Sequence, residues 1–321
     1  MPRILLVKTS SMGDIIHNMP LIADVRRHYP DAIIDWVVEE TFAEIAALCP
    51  HIDQLIILPL RRWKKNLSSR RTWREFLELR RKLKAQRYDA ILDTQALLKS
   101  AFISTWARGP SHGPNCKTAR EPLAGLLYTY GYDISPKLHA VTRTRLVAAT
   151  AFGYNLEKLP LVYDLRVPQA TLPIAPPSAF VLGFHSTARD AKLWPVTHWI
   201  ALGKHLASRG LSLLLPWGSE AERVRAVAIA QQVPDAVVLP KMSLSQLTCL
   251  IQHAKLTVGL DTGLMHIAVA LDIPTLAIFC DTHIWQAGAM PAASGRAITI
   301  GGKPALPRVE EAVAALDQLL G

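Results

Sequence analysis

Along the chain, short aliphatic runs alternate with stretches whose apolar residues recur every three or four positions, the pattern of buried parallel strands joined by amphipathic helices. In the first half this predicts strands over 4–7, 33–38, 55–58 and 90–93 and helices over 13–28, 42–48, 73–84, 98–107, 120–130 and 139–152. A stretch at 167–178 with four prolines, Pro168, Pro173, Pro176 and Pro177, is too rich in this residue for a helix interior and reads as a linker. Beyond it the alternation restarts, with strands over 181–184, 211–215, 236–239, 256–260 and 275–279 and helices between them. The expected organisation is an α/β N-terminal domain over 1–166, the linker, a second α/β domain over 179–306, and a terminal helix over 307–321 that crosses back to the first domain.

Composition adds little until the charge is located. Half the residues are apolar, enough for two cores, and the formal charge is +10. Residues 61–87 hold twelve Arg and Lys against Glu75 and Glu78, so this one segment carries a balance of +10 and the rest sums to zero. Such a concentrated field implies an anionic partner: nucleic acid, acidic phospholipid or an anionic glycolipid. A solvated basic helix face without a partner is the plainer reading. Cys49, Cys116, Cys249 and Cys280 lie too far apart for a CxxC pair or a metal-ligand spacing and are expected to be reduced. With no secretory signal pattern and no apolar run long enough to span a bilayer, a soluble cytoplasmic protein is expected.

Three strand-to-helix junctions could carry chemistry. Lys8-Thr9-Ser10-Ser11-Met12-Gly13-Asp14 follows the first strand. Asp14 is its only carboxylate and could take a proton from an attacking hydroxyl, or could simply cap the helix. His185 to Pro195 is a polar loop in which Thr187 and Lys192 suit a diphosphate, Lys acting as a point charge; an ordinary surface loop is the alternative. Asp261-Thr262-Gly263-Leu264-Met265-His266 presents hydroxyl and backbone donors, with His266 one helical turn beyond Thr262. A single D-T-G does not suit aspartic protease chemistry, which needs two aspartates sharing a proton. Glu222 follows a further strand and could accept from ribose hydroxyls or face solvent in a first helical turn. Met242, before the helix cap Ser243, could pack on adenine or belong to the core.

Taken together, the turns K-T-S-S-M-G-D, R-R-W-K-K, T-A-R-E-P-L-A, K-L-W-P, L-P-W-G, L-P-K-M-S-L and D-T-G-L-M-H resemble, in order from Lys8 to His266, the ADP-heptose:lipopolysaccharide heptosyltransferases of glycosyltransferase family 9. The R-R-W-K-K and T-A-R-E-P-L-A segments look like those of the members that add the first inner-core heptose. The resemblance implies a GT-B fold, two doubly wound Rossmann-like domains facing an interdomain cleft. It further implies inverting transfer of L-glycero-D-manno-heptose from ADP-heptose to Kdo of Kdo2-lipid A. On this resemblance Asp14 is the general base. Lys192, Thr262, Gly263 and His266 hold the diphosphate, Asp261 meets the heptose, and Thr187, Glu222 and Met242 complete the donor pocket. Ser10, Ser11, Gly13, Arg61, Arg62, Lys65 and Arg120 fall to the acceptor.

No cofactor is expected, and Mg2+ is not called for, because Lys192 and helix termini can neutralise a diphosphate. The expected location is the cytoplasmic face of the bacterial inner membrane, held peripherally through contact of the basic segment with anionic lipid. This sequence departs from the family pattern at Ala188, where a second hydroxyl is common, and at Phe279-Cys280-Asp281-Thr282-His283, where a G-P-T-like turn is expected. Other classes remain open. They are a GT-B sugar-nucleotide enzyme with another donor or acceptor and a non-catalytic membrane-surface scaffold; an epimerase of this architecture is disfavoured, since it needs no large cationic acceptor surface. Nucleic acid is disfavoured, since Trp63 and Trp73 as stacking platforms would leave the second-half turns unexplained.

Overall fold

Leu5, Leu6 and Val7 have no solvent exposure because the strand they form, β1 (Arg3–Val7), has parallel neighbours on both edges and is covered on both faces. Both its partners, β2 (Ile33–Glu39) and β4 (Ala90–Asp93), are likewise buried and mainly apolar, with Asp35, Glu39 and Asp93 as buried exceptions. The computed structural model describes all 321 residues. It divides into two units, Met1–Asp164 and Leu165–Gly321.

In the first unit, β1 is followed by α1 (Met12–Ile16) and α2 (Met19–His28), and β2 by α3 (Ala43–Ala46). Next come β3 (Gln54–Leu58), α4 (Leu60–Lys65) and α5 (Arg70–Ala85), then β4 and α6 (Leu98–Ser104). The unit closes with β5 (Ser111–Pro114), a 3-10 turn (Pro122–Leu127), β6 (Tyr130–Tyr132) and α7 (Ala140–Phe152). The six strands are all parallel, in the order β3-β2-β1-β4-β5-β6. That is the doubly wound order, which reverses direction between β1 and β4.

The second unit repeats it. Its elements are β7 (Phe180–Phe184), α8 (Val196–Ser208), β8 (Ser212–Leu215), α9 (Glu220–Ala230), β9 (Val237–Val238) and α10 (Leu244–Gln252). They continue with β10 (Leu256–Leu260), α11 (Gly263–Ala270), β11 (Thr275–Phe279), α12 (Ile284–Ala287), β12 (Ala297–Gly301) and α13 (Val309–Leu320). The order β12-β11-β10-β7-β8-β9 places its reversal between β7 and β10. Two such units in one chain are the parts of the GT-B fold.

Several sequence expectations need correction. The helix expected over 13–28 breaks at His17-Asn18, because Pro20 at the start of α2 has no N–H to continue a helical ladder. The helix expected over 120–130 is only the 3-10 turn, with Leu123 and Leu126 turned to solvent. Gly125 is held so close to the chain at 115–116 that a Cβ would lie 2.4 Å from the Cys116 nitrogen. Strands β5, β6 and β12 went unforeseen; β5, Ser-His-Gly-Pro, has no aliphatic residue to signal it. The proline-rich stretch has neither helix nor strand, but the units divide just before it.

The terminal helix packs within the second unit. Ala312, Leu316 and Leu319 of α13 enter the same core as Val181, Trp194, Trp199 and Leu202. Asp317 accepts from His205 and Arg209 of the second unit at 2.9 and 2.7 Å. The apolar stripe of α13 is therefore buried in its own unit. Leu316→Ala is expected to destabilise the second unit by about 2–5 kcal/mol, the usual cost of emptying a fully buried leucine site. Urea unfolding followed by circular dichroism measures it.

Candidate functional site

The first candidate centre lies where the sheet order reverses in the first unit. The turn after β1 carries Ser10, Ser11, Gly13 and Asp14, and the turn after β4 carries Thr94 and Gln95. Asp93, fully buried, accepts from the Gln95 and Ala96 amides at 2.8 and 3.1 Å and fixes the second turn. Gln95 then reaches across, accepting from the Thr9 amide and hydroxyl at 2.7 Å and donating to the Ser10 hydroxyl at 3.1 Å. Asn18 donates to the Asp14 carbonyl at 2.7 Å and accepts from Thr94 at 2.6 Å. The backbone around Asp14 is thus held from two strands.

The Asp14 carboxylate uses its oxygens differently. Oδ2 accepts from the Ser11 amide and hydroxyl at 2.9 and 3.2 Å, the capping arrangement, while Oδ1 faces the Lys8 ammonium at 3.4 Å. Its side chain remains 32% exposed, whereas that of Lys8 is 7% exposed. Burial opposes ionisation, but the Lys8 charge, then the Ser11 amide and nearby His17, outweigh it and hold Asp14 well below the usual carboxylate range. Capping and proton acceptance are therefore not alternatives: the cap orients a carboxylate that stays ionised. The Ser11 amide is already taken by this carboxylate, so it is no anion cradle.

The basic residues separate into groups. Arg61 is exposed, with its guanidinium 5.1 Å from the centre of the Phe42 ring. Lys65 and Arg120 are exposed too. Arg62 is occupied within the chain, paired with Glu75 at 2.8 Å and Glu40 at 3.2 Å. Trp63 is buried and donates to Glu75 at 2.9 Å, which removes it as a stacking platform.

Sequence reasoning passed over two further cations. Lys99 lies 3.5 Å from the Ser10 hydroxyl. Burial, together with the like charges of Lys64, Arg61 and Arg120, pushes it down, so these four cations share one field. Arg143 of α7 keeps a buried Nε with no hydrogen-bond partner. Its neighbour Thr144 bonds the His17 carbonyl at 2.9 Å, placing it over the turn that follows Asp14. Burial lowers the Arg143 pKa, the Asp14 charge opposes that, and Arg120 adds to it. Neither residue carries a local motif; only the fold brings them beside Asp14.

The second centre lies at the reversal point of the other sheet, on the turns after β7 and β10. Asp261 is its hub. The carboxylate is bonded to Lys192, accepts from Thr282 at 2.7 Å, and has His266 at 3.8 Å. Thr187 donates to the Asp261 carbonyl at 3.1 Å. Burial would raise the Asp261 pKa, but His266 and Lys192 outweigh it and hold it well below the usual range.

Gly259 lets α11 approach closely, since a Cβ there would lie 2.8 Å from that of Met265. Thr262 caps α11 and Gly263 opens it, so the unpaired amides of a helix start lie beside Lys192 and His266. His185, fully buried beneath, donates to the Pro216 carbonyl at 3.1 Å and is pushed down to about 4 by burial and Arg225. It is a neutral support.

Glu222 and Met242 stand apart from that hub. Glu222 spends Oε2 on the amides of Gly218 and Ser219, at 2.6 and 3.2 Å, as the closing residue of a capping box. Met242 is half-buried just before Ser243, which caps α10. The departure at 279–283 proves useful: Thr282 brings a hydroxyl to Asp261 that sequence reasoning did not count.

A carboxylate held ionised at one reversal point, and an ammonium, an imidazole and a helix start gathered at another, suit transfer of an activated group from a diphosphate to a hydroxyl. The description of glycosyltransferase family 9 (heptosyltransferase) matches residues 76–312. Lipopolysaccharide heptosyltransferase 1 of Pseudomonas aeruginosa is 42% identical over 289 residues, covering 89% of this chain and 81% of that protein. The structure described as E. coli heptosyltransferase WaaC with ADP is 34% identical, with a TM-score of 0.83 over 99% of this chain and 98% of that one. The same enzyme with ADP-2-deoxy-2-fluoro heptose is 35% identical, with a TM-score of 0.80 and the same coverage. The chain belongs to glycosyltransferase family 9 and is a glycosyltransferase.

The Lys8–Asp14 pair sets a pH dependence. Asp14 is depressed, so its carboxylate stays ionised well below neutral pH and takes up a proton only as pH falls through its lowered pKa. Lys8→Met removes the main lowering charge, and the acid limb of kcat/KM is expected to move to higher pH. A pH–rate profile of both proteins reads the shift.

Proposed function

We propose that this glycosyltransferase moves L-glycero-D-manno-heptose from ADP-heptose to a Kdo hydroxyl of Kdo2-lipid A, with inversion, in assembly of the lipopolysaccharide inner core. The observation that carries the reading is the Lys192–Asp261–His266 hub at the end of β10, supported by the similarity to heptosyltransferases along most of the chain.

On this reading the Kdo hydroxyl gives its proton to Asp14 as its oxygen attacks the anomeric carbon, and the ADP diphosphate departs. Lys192, His266, Thr262 and the amides from Gly263 meet the negative charge that grows on the diphosphate. The diphosphate takes over Lys192, and Asp261, freed from that partner, turns to heptose hydroxyls. Thr187 holds the Asp261 turn, Met242 meets the adenine, and Glu222 retains Oε1 for the ribose. Arg61, Lys65 and Arg120 meet acceptor carboxylates and phosphates; Lys99 and Arg143 join them, and Arg62 acts by holding Glu40 and Glu75. No divalent metal is needed on this reading, because the leaving charge is met by the chain's own cations and helix start. The protein works peripherally at the cytoplasmic face of the inner membrane, where such an acceptor is presented; no helix is long and apolar enough to cross it.

The test is transfer from ADP-heptose to delipidated Kdo2-lipid A, read by mass spectrometry. Wild type is expected to add one heptose mass. Asp14→Asn is expected to slow turnover by about 10²–10⁴-fold, the usual contribution of a general base, while donor binding by calorimetry is retained. Turnover that persists in EDTA supports the metal-free reading. No mass gain in the wild type overturns the substrate pair.

A further inference from the structure

Large apolar side chains that are more than half exposed concentrate in one stretch of the first unit: Leu67, Trp73, Leu77, Phe102, Leu123 and Leu126. Helix α5 explains why Trp73 and Leu77 are there. It buries Thr72, Leu79 and Leu83, and its opposite side carries Trp73 and Leu77 among Arg70, Arg74 and Arg81. A helix meant for water would carry only polar residues there.

The exposed rings are not isolated. Trp73 meets Phe76 edge-on at 5.9 Å, Phe76 meets Trp106 at 5.1 Å, and Trp106 meets Phe102 of α6 at 5.8 Å. Helix α6 packs in turn on the 3-10 turn that bears Leu123 and Leu126. Ring contacts through half-buried Phe76 and buried Trp106 thus link the exposed apolar side chains of α5, α6 and that turn into one belt. Glu78 is the only acid in the groove beside Trp73, and it lies 3.9 Å from Arg74.

We propose that this belt is a membrane-interface surface for an anionic phospholipid bilayer, with Trp73, Leu77 and Phe102 entering the headgroup boundary and Arg70, Arg74 and Arg81 meeting lipid phosphates. Charge complementarity selects this occupant. A second copy would bring one +10 segment against another, whereas an anionic bilayer pairs with the cations and accepts the rings. Trp and Arg are suited to this boundary, each pairing an apolar or flat body with a polar tip. The face is distinct from Arg61, Lys65 and Arg120, and its role beside them rests on the reading that the acceptor is a lipid.

The test is sedimentation of the full chain with vesicles of phosphatidylcholine mixed with phosphatidylglycerol, against phosphatidylcholine alone. Wild type is expected to bind the anionic vesicles, and brominated lipid in them to quench its tryptophan fluorescence more than that of Trp73→Phe. The triple variant Trp73→Ser, Leu77→Ser, Phe102→Ser is expected to lose about 10-fold or more in vesicle partition while keeping turnover on the delipidated acceptor. Absence of binding to anionic vesicles overturns the proposal. So does unchanged partition of a folded triple variant, since the cations alone would then account for binding. A wild-type dimer in light scattering that the triple variant abolishes would assign the belt to a second copy and overturn it too. Should the variant not fold, the wild-type quenching comparison with Trp73→Phe decides. Vesicle binding with no heptose transfer would keep this surface while removing the proposed reaction.

Discussion

Adjacent parallel strands whose following segments leave in opposite directions cannot have the space beyond their carboxyl ends filled by their own connections. That constraint operates twice here, between β1 and β4 and between β7 and β10, and both candidate centres lie where it acts. Thr9 and Gln95, 86 residues apart in the chain, meet because their turns end neighbouring strands. Lys192 and Asp261 meet for the same reason in the second sheet. The aliphatic strands supply rigidity, and the reversal supplies a place where polar groups converge without a core residue between them.

At both places the chemistry rests on paired opposite charges. An isolated carboxylate that is largely withdrawn from water tends to take up a proton; a carboxylate beside Lys8 and the Ser11 donors does not. Asp261 is kept ionised in the same way by His266 and Lys192. The consequences differ. Asp14 keeps one third of its side chain exposed and open to solvent, whereas Asp261 is enclosed among Lys192 and Thr282. Such a preorganised set of cations can meet charge on a leaving group without rearranging solvent around it.

Beyond the two centres, the basic segment has more structure than its composition suggests. Its helix α5 buries one side in the unit's core and turns Trp73, Leu77 and several arginines outward, while α4 hides Trp63 and ties Arg62 to Glu40 and Glu75. The +10 balance therefore divides into cations spent on folding, cations grouped near Lys99, and cations bordering an apolar belt.

Much of this was legible from local pattern. Aliphatic runs located β1, β2, β4, β10 and β11 within a residue or two, because a strand buried on both faces is largely apolar. The turns with Asp14, Lys192 and Asp261 were found because polar, glycine-bearing segments directly after such runs stand out. Sequence alone did not reveal β5, which has no aliphatic residue, or the break before Pro20, or the packing of α13 on its own unit. Nor did it reveal Lys99, Arg143 and Thr282, which have no spacing signature. Their importance comes from distances closed across the sheet by the order of strands, and the exposed face of Trp73 and Phe102 comes from which side of each helix the core claims. Periodicity along a chain determines which residues want burial; only the tertiary arrangement decides which of the others are brought together, since charges and hydrogen bonds act through space.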